Sequence, residues 1–235
     1  MGIAENIKRV QERIEKAALR AGREAEEIRL VAVSKSVETE RIIEAVSFGI
    51  DTFGENYAQE FREKHDLVEK KLGRKIKWHF IGRLQRNKVK YLLNKTELIH
   101  SLDNLSVGEE INKRAEKVGI KVPVLIEVSI TDEESKGGLK PEQLEEFLLE
   151  LGRFSQVDVK GLMTMPPFFD NPEMARPYFK QLRQLRDKLQ IRFPNLRELS
   201  MGMSGDFEVA IEEGATIVRI GTAIFGARKQ HLATN

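Results

Sequence analysis

The chain of 235 residues has no cysteine. That excludes disulfides, thiolate metal centres and cysteine nucleophiles, and it fits a reducing compartment. Its four histidines, His65, His79, His100 and His231, show neither H-x-H nor H-E-x-x-H spacing, so no metal centre is expected. No apolar run approaches the roughly 18–20 residues of a membrane span. The opening MGIAENIKRV reaches charged residues without the apolar core of a secretory signal, and Asn6 breaks the myristoylation pattern behind Gly2. A cytoplasmic location and no membrane partner are therefore expected. Neither sign of charge dominates: 39 Lys+Arg against 37 Asp+Glu leave a formal net charge of +2, so charge implies no nucleic-acid partner. Also missing are G-x-x-x-x-G-K-[ST] and G-x-S-x-G. Behind the first strand-like run, SKSVETE stands where a dinucleotide fold carries G-x-G-x-x-G.

What is present is a rhythm. Ile3, Ile7, Val10, Ile14, Ala17 and Ala18 recur at helical spacing, which predicts an amphipathic helix ending near Gly22. Eight strand-type runs follow: Leu30–Ser34, Thr52–Gly54, Lys77–Ile81, Leu98–Leu102, Val122–Ser129, Val159–Met165, Glu198–Met201 and Ile217–Ile220. Between and after them lie helical patterns at Thr39–Phe48, Tyr57–Lys71, Arg86–Leu93, Leu105–Val118, Pro141–Leu151, Glu173–Leu189 and Asp206–Glu213, with a last short one from Ala223. Thr39 and Asp206 are expected as N-caps and Pro141 as a first-turn proline. Gly49, Gly73, Gly119, Gly152 and Gly214 are expected as C-terminal stops. Eightfold alternation reads as parallel βαβ units. An open doubly wound sheet and a closed (β/α)8 barrel compete. The length and the missing glycine fingerprint favour the TIM barrel, with the extra N-terminal helix on its bottom or side. No linker or low-complexity tract divides the chain, so residues 1–235 are expected to form one domain.

In such a barrel, chemistry sits at the C-terminal strand ends. Alternation puts Val31, Val33 and Lys35 on one face, so a barrel-filling Val31 and Val33 carry Lys35 inward at the mouth. Desolvation there would lower its pKa and free the amine for Schiff-base chemistry. A strand-end lysine reaching out to water is the other reading. After the seventh and eighth strands come Gly202-Met203-Ser204-Gly205 and Gly221-Thr222. Glycine lets backbone approach an anion and the Ser204 and Thr222 hydroxyls can donate, which suits a phosphate; tight turns alone also explain the glycines. Arg219 shares the face of Gly221. An inward cation needs an acceptor, either a carboxylate or a ring nitrogen of a cofactor. His79 and Trp78 read as core. The basic stretch Arg83, Arg86, Lys88, Lys90 and Lys95 reads as a solvated face, and Pro166–Pro172 as a lid or a rigid loop.

The stretches LVAVSK (30–35), FGENYAQE (53–60), WHFIGRLQRNK (78–88), HSLDN (100–104), ESKGGL (134–139), GLMTM (161–165) and LSMGMSGDFEVAIEEGATIVRIGTAIFG (199–226) resemble, in order, those of the pyridoxal 5'-phosphate homeostasis proteins. The resemblance implies a single (β/α)8 barrel like the N-terminal domain of alanine racemase, with pyridoxal phosphate as cofactor on a lysine Schiff base. It matches Lys35 to the Schiff-base lysine and Ser204, Gly221 and Thr222 to the phosphate loops. Arg219 matches the arginine facing the pyridine nitrogen, and Asn56 a position close to the cofactor. Glu127 and Ser129 depart from the amide side chains expected on the fifth strand. The resemblance implies cofactor buffering or delivery to pyridoxal-phosphate apoenzymes by a monomeric protein. An amino-acid racemase is the alternative. Racemization needs acid–base groups on both faces of the carbanion. The second comes, in alanine racemases, from a further domain that a chain ending at Asn235 is not expected to carry. Of Tyr57, Tyr91 and Tyr178, only Tyr57 is expected near the mouth.

Overall fold

A computed structural model describes residues 2–131 and 137–227. Its strands are β1 (Arg29–Val33), β2 (Thr52–Glu55), β3 (Lys77–Phe80), β4 (Leu98–Leu102), β5 (Val122–Glu127), β6 (Val157–Met163), β7 (Glu198–Ser200) and β8 (Ile217–Ile220). They pair in parallel in chain order, and β8 closes onto β1 with Val31 opposite Arg219. This closure rules out the open sheet. The helices are α1 (Ile3–Arg20), α2 (Thr39–Ser47), α3 (Ala58–Leu72), α4 (Leu105–Val118), α5 (Leu144–Leu151), α6 (Arg176–Gln190), α7 (Phe207–Glu212) and α8 (Thr222–Phe225).

The buried residues of α1 are the six that its periodicity selects. The helix lies on the barrel's side, packed on α2, α7 and α8. The Asn6 amide donates to the Ile224 carbonyl at 2.9 Å, and Arg13 and Arg20 reach Glu208 and Glu212. The extra helix thus clamps the seam where the first and last units meet.

Several expected details change. The segment after β3 forms a 3-10 turn, Arg86–Tyr91, instead of a helix to Leu93. A basic residue stands at every second position of this turn, Arg86, Lys88 and Lys90. The Lys88 and Lys90 ammonium groups lie 5.8 and 5.0 Å from the Tyr91 ring centroid. Thr39 is the first helical residue behind Glu38, not a cap. Asp206 occupies the cap position, but its carboxylate accepts the Met203 N–H at 2.6 Å, so it braces the loop before the helix. Gly73 and Gly119 are left-handed caps, whereas Gly152 remains right-handed at φ −58°. Pro141 opens a 3-10 turn ahead of α5.

Two apolar regions result. The larger fills the space between sheet and helices, with the Trp78 ring in contact with both Phe53 and Phe61. The smaller lies inside the barrel and joins Val31, Leu98, Leu125, Met163 and Ile217. The rest of the interior is polar, since His79, His100, Ser200 and Arg219 are all buried.

One close approach shapes the mouth. A Cβ on Gly82 would stand 2.1 Å from the Asn56 carbonyl oxygen, so only glycine lets the β3 end pass the β2 end. Gly82→Ala is expected to destabilise the protein by about 2–3 kcal/mol or more, because backbone must move. Gly205→Ala, whose Cβ meets nothing within 4 Å, should change stability by less than about 1 kcal/mol. Urea denaturation of both variants checks this, and equal midpoints would refute the close approach.

Candidate cofactor site at the barrel mouth

Lys35, Asn56, Ser204, Arg219, Gly221 and Thr222 line one cavity of about 260 Å³. They arrive from the ends of β1, β2, β7 and β8, at the C-terminal face of the barrel. Val33, Ile81, Met165 and Phe168 supply apolar walls. Lys35 is half-buried and faces this cavity rather than reaching out to bulk water.

Local structure explains its direction. Ser36, the next residue, adopts φ +58°, a left-handed conformation uncommon outside glycine. Its N–H donates to the Glu60 carboxylate at 2.6 Å, which holds the turn. On the outer face, the buried Ser34 hydroxyl donates to Glu55 at 2.7 Å. The Lys64 ammonium from α3 donates to the Ser34 carbonyl at 2.6 Å and to Glu55 at 3.1 Å. Burial raises the Glu55 pKa, and Lys64 and Ser34 oppose that rise. Strand alternation makes this cluster the outer counterpart of the site: Ser34 and Glu55 point to the helices while the next residues, Lys35 and Asn56, line the cavity.

The two loops from the C-terminal block meet through one hydroxyl. Gly202, at φ +92°, turns the chain out of β7, and a Cβ there would lie 2.6 Å from that of Ala210. Ser204 Oγ accepts the N–H groups of Gly221 and Ala223, each at 3.2 Å. Both of its lone pairs are engaged, so its O–H remains to donate. Two donors behind it polarise that O–H toward an anion.

Arg219 is 3% exposed, and its acceptors are not carboxylates. One Nη donates to Ser200 Oγ at 2.5 Å and the other to the Thr164 carbonyl at 3.0 Å. Burial lowers its pKa to about 10, against the attraction of Glu127 and Asp206. Glu127, a residue the sequence reading sets aside, is buried on the inner face of β5. Burial and the neighbouring Asp103 carboxylate push its pKa up to about 7, against Arg219 and Arg83.

Other residues fall elsewhere. Tyr57 is 59% exposed and does not line the cavity. In the Pro166–Pro172 connection, Phe168 forms a cavity wall while 84% exposed. In the basic stretch, Lys88 and Lys90 lie beside Tyr91, Arg86 pairs with Glu109 and Glu110, and Lys95 pairs with Asp66. Glu134, Ser135 and Lys136 of ESKGGL, and His231, lie outside the described residues. Among the described residues no group of three or more His, Asp or Glu side chains is placed to hold a metal ion. No described helix is long and apolar enough to cross a membrane.

Residues 3–229 match the family model described as alanine racemase, N-terminal domain. A protein of Aquifex aeolicus named pyridoxal phosphate homeostasis protein is 52% identical over 230 residues, covering 97% of this chain and 100% of its own. The chain belongs to the pyridoxal phosphate homeostasis protein family. PipY of Synechococcus elongatus, solved with PLP bound, superposes with a TM-score of 0.80 at 32% identity, over 95% of this chain and 100% of its own. An alanine racemase of Clostridium difficile shares the fold at a TM-score of 0.72 and 17% identity, over 97% of this chain and 58% of its own.

The donor set suits the family's cofactor on structural grounds. A phosphorylated aldehyde needs an amine, anion donors and a partner for its ring nitrogen. The cavity offers Lys35, the Ser204 and Thr222 hydroxyls beside the Gly221 backbone, and Arg219. Asn56 adds a buried Oδ1 with no hydrogen-bond partner among the described residues, and an orphaned buried polar atom facing a cavity is a place for a ligand.

Glu127 generates a pH prediction for the unloaded protein. Below pH 4.5 it is protonated whether folded or unfolded. Between 4.5 and about 7 the unfolded chain has released a proton that the folded chain keeps. Stability therefore falls as pH rises through this window and levels off above it. Glu127→Gln removes this contribution, so it should exceed the parent in stability at pH 8 by up to about 3 kcal/mol, with the gap closing toward pH 4.5. Parallel denaturation curves with a pH-independent gap would contradict the assignment.

Proposed function

We propose that this protein binds pyridoxal 5'-phosphate at the barrel mouth and serves cofactor homeostasis, buffering the aldehyde and delivering it to apoenzymes. The observation that carries the reading is the convergence of Lys35, Asn56, Ser204, Arg219, Gly221 and Thr222, spread over 188 positions of sequence from 35 to 222, on one cavity. Residues 1–235 act as one domain and as a monomer.

Lys35 holds the cofactor covalently: its amine condenses with the aldehyde, one water leaves and a C=N bond forms. Ser204 and Thr222 bind the phosphate through their hydroxyls, with the Gly221 N–H held behind Ser204. The short α8, with four residues, contributes through the Thr222 side chain and not through a long helix dipole. Arg219 donates to the ring nitrogen. A fixed cation there disfavours ring protonation, which weakens the ring as an electron sink. Binding is thereby favoured over carbanion chemistry, which separates homeostasis from racemization.

Purified protein loaded with pyridoxal phosphate should absorb in the visible and lose that band on borohydride reduction, with the added mass on the Lys35 peptide. Attachment at another lysine would overturn the site. Lys35→Ala should abolish the covalent link yet retain some affinity through the phosphate. Ser204→Ala and Thr222→Ala should each weaken retention roughly tenfold to a hundredfold, the worth of one hydrogen bond to a charged group. Pyridoxal without phosphate should bind poorly.

On the same preparation, chiral analysis of alanine and serine after long incubation should show no turnover near the median enzyme rate of about 10 per second. An apoenzyme mixed with the loaded protein should regain activity. Fast racemization would replace homeostasis with the racemase.

A further inference from the structure

Behind Arg219 a line of buried polar groups crosses the barrel interior. Ser200 Oγ, which accepts from Arg219, lies 2.8 Å from His100 Nδ1. His100 Nε2 lies 2.9 Å from His79 Nδ1. Ser200, His100 and His79 are each 0% exposed. His79 Nε2 is buried with no partner among the described residues.

The proton order along this line follows from counting donors. Arg219 only donates, so Ser200 Oγ accepts from it. If the Ser200 hydroxyl then donates to His100 Nδ1, His100 carries its proton on Nε2 and donates to His79 Nδ1. His79 carries its proton on Nε2, and a single orphan remains at the far end. In the reverse order, His79 Nδ1–H donates to His100 and His100 Nδ1–H donates to Ser200. The Ser200 hydroxyl proton then loses its acceptor and His79 Nε2 is still unmet, which makes two buried orphans. Each costs about 1–3 kcal/mol. The reverse order also turns N–H dipoles toward the guanidinium. The first order wins on both grounds, and each bond in it polarises the next.

Both rings stay neutral. Burial, helped by Arg29 and Lys77 and opposed by Asp51, holds His79 at about 3. Burial, then His79, Arg219 and Arg29, holds His100 well below its ordinary value.

We propose that Ser200, His100 and His79 are positioning residues: a one-way hydrogen-bonded chain that fixes Arg219 in orientation as a donor toward the cofactor's ring nitrogen. The proposal rests on the cofactor reading above. Ser200 takes one Nη and the Thr164 carbonyl the other, so the guanidinium cannot turn without breaking a buried bond. Because His100 consumes the Ser200 proton, Ser200 has only lone pairs to offer Arg219. The positive charge therefore stays in a fixed place, with Glu127 and Asp206 acting on it from a distance.

The test has two arms. In unloaded, ¹⁵N-labelled protein, long-range proton–nitrogen correlation should show His79 and His100 both neutral and both protonated on Nε2. Nδ1–H tautomers, or an imidazolium at pH 6, would overturn the chain. In protein loaded with ring-¹⁵N pyridoxal phosphate, the ring nitrogen signal should report an unprotonated nitrogen. Its protonation midpoint should rise by about one pH unit in Ser200→Ala, as expected when a nearby like charge loosens, with the cofactor still fixed one per chain by borohydride. If Ser200→Ala does not fold, His100→Phe should produce the same rise and His100→Gln, which restores an acceptor for the Ser200 hydroxyl, should reverse it. An unmoved midpoint in a folded, loaded variant refutes the proposal. Failure of the parent to take up cofactor refutes the functional reading instead, and the tautomer arm still judges the proton order.

Discussion

A guanidinium buried in the middle of a closed parallel barrel constrains everything around it. Desolvating such a charge costs several kcal/mol unless its donors are met by well-placed acceptors. Here the acceptors are a serine on β7 and a carbonyl just past β6. A carboxylate at contact distance would offset the charge more strongly, but it would also cancel it. The arrangement keeps Arg219 solvated by dipoles and leaves its charge directed at the mouth. This is why the barrel interior is not the apolar layered packing that fills many such barrels: Val31, Leu98, Leu125, Met163 and Ile217 share it with two histidines, a serine and the arginine.

The same barrel separates two tasks by strand parity. Inward positions at the strand ends line the cavity, while outward positions one residue away anchor the strands to α3. Ser34 and Lys35 divide in this manner, and so do Glu55 and Asn56. At the other edge of the cavity a single serine hydroxyl ties the β7 loop to the β8 loop, so the two loops cannot drift independently.

Much of this was legible in the sequence because the signals are local. Short apolar runs alternating with helical patterns marked all eight strands, and alternation along LVAVSK placed Lys35 inward without any knowledge of its neighbours. The glycine turns around Ser204 and Gly221 likewise carried their meaning within a few residues. What escaped is largely non-local. His100 and Ser200 stand 100 residues apart and meet only because the barrel closes, so no spacing rule links them. His79 looked like core and is core, but polar core. Glu127 looked like a departure from a pattern; its burial beside Asp103 became visible only in three dimensions. The segment Arg86–Tyr91 carries apolar spacing that reads as helical, and it closes as a 3-10 turn instead. Gly152 sat where a left-handed cap belongs and did not become one.

The cluster of Ser34, Glu55 and Lys64 has an implication for how such a protein diverges. It lies on the helix side of the sheet, yet it sets where the ends of β1 and β2 stand. Changes in α3 or in the Glu60 contact to Ser36 can therefore shift Lys35 and Asn56 while every cavity-lining residue stays the same. The outside of the barrel thus sets the spacing of the groups at its mouth, and sequence change there can reshape the cavity without altering its lining.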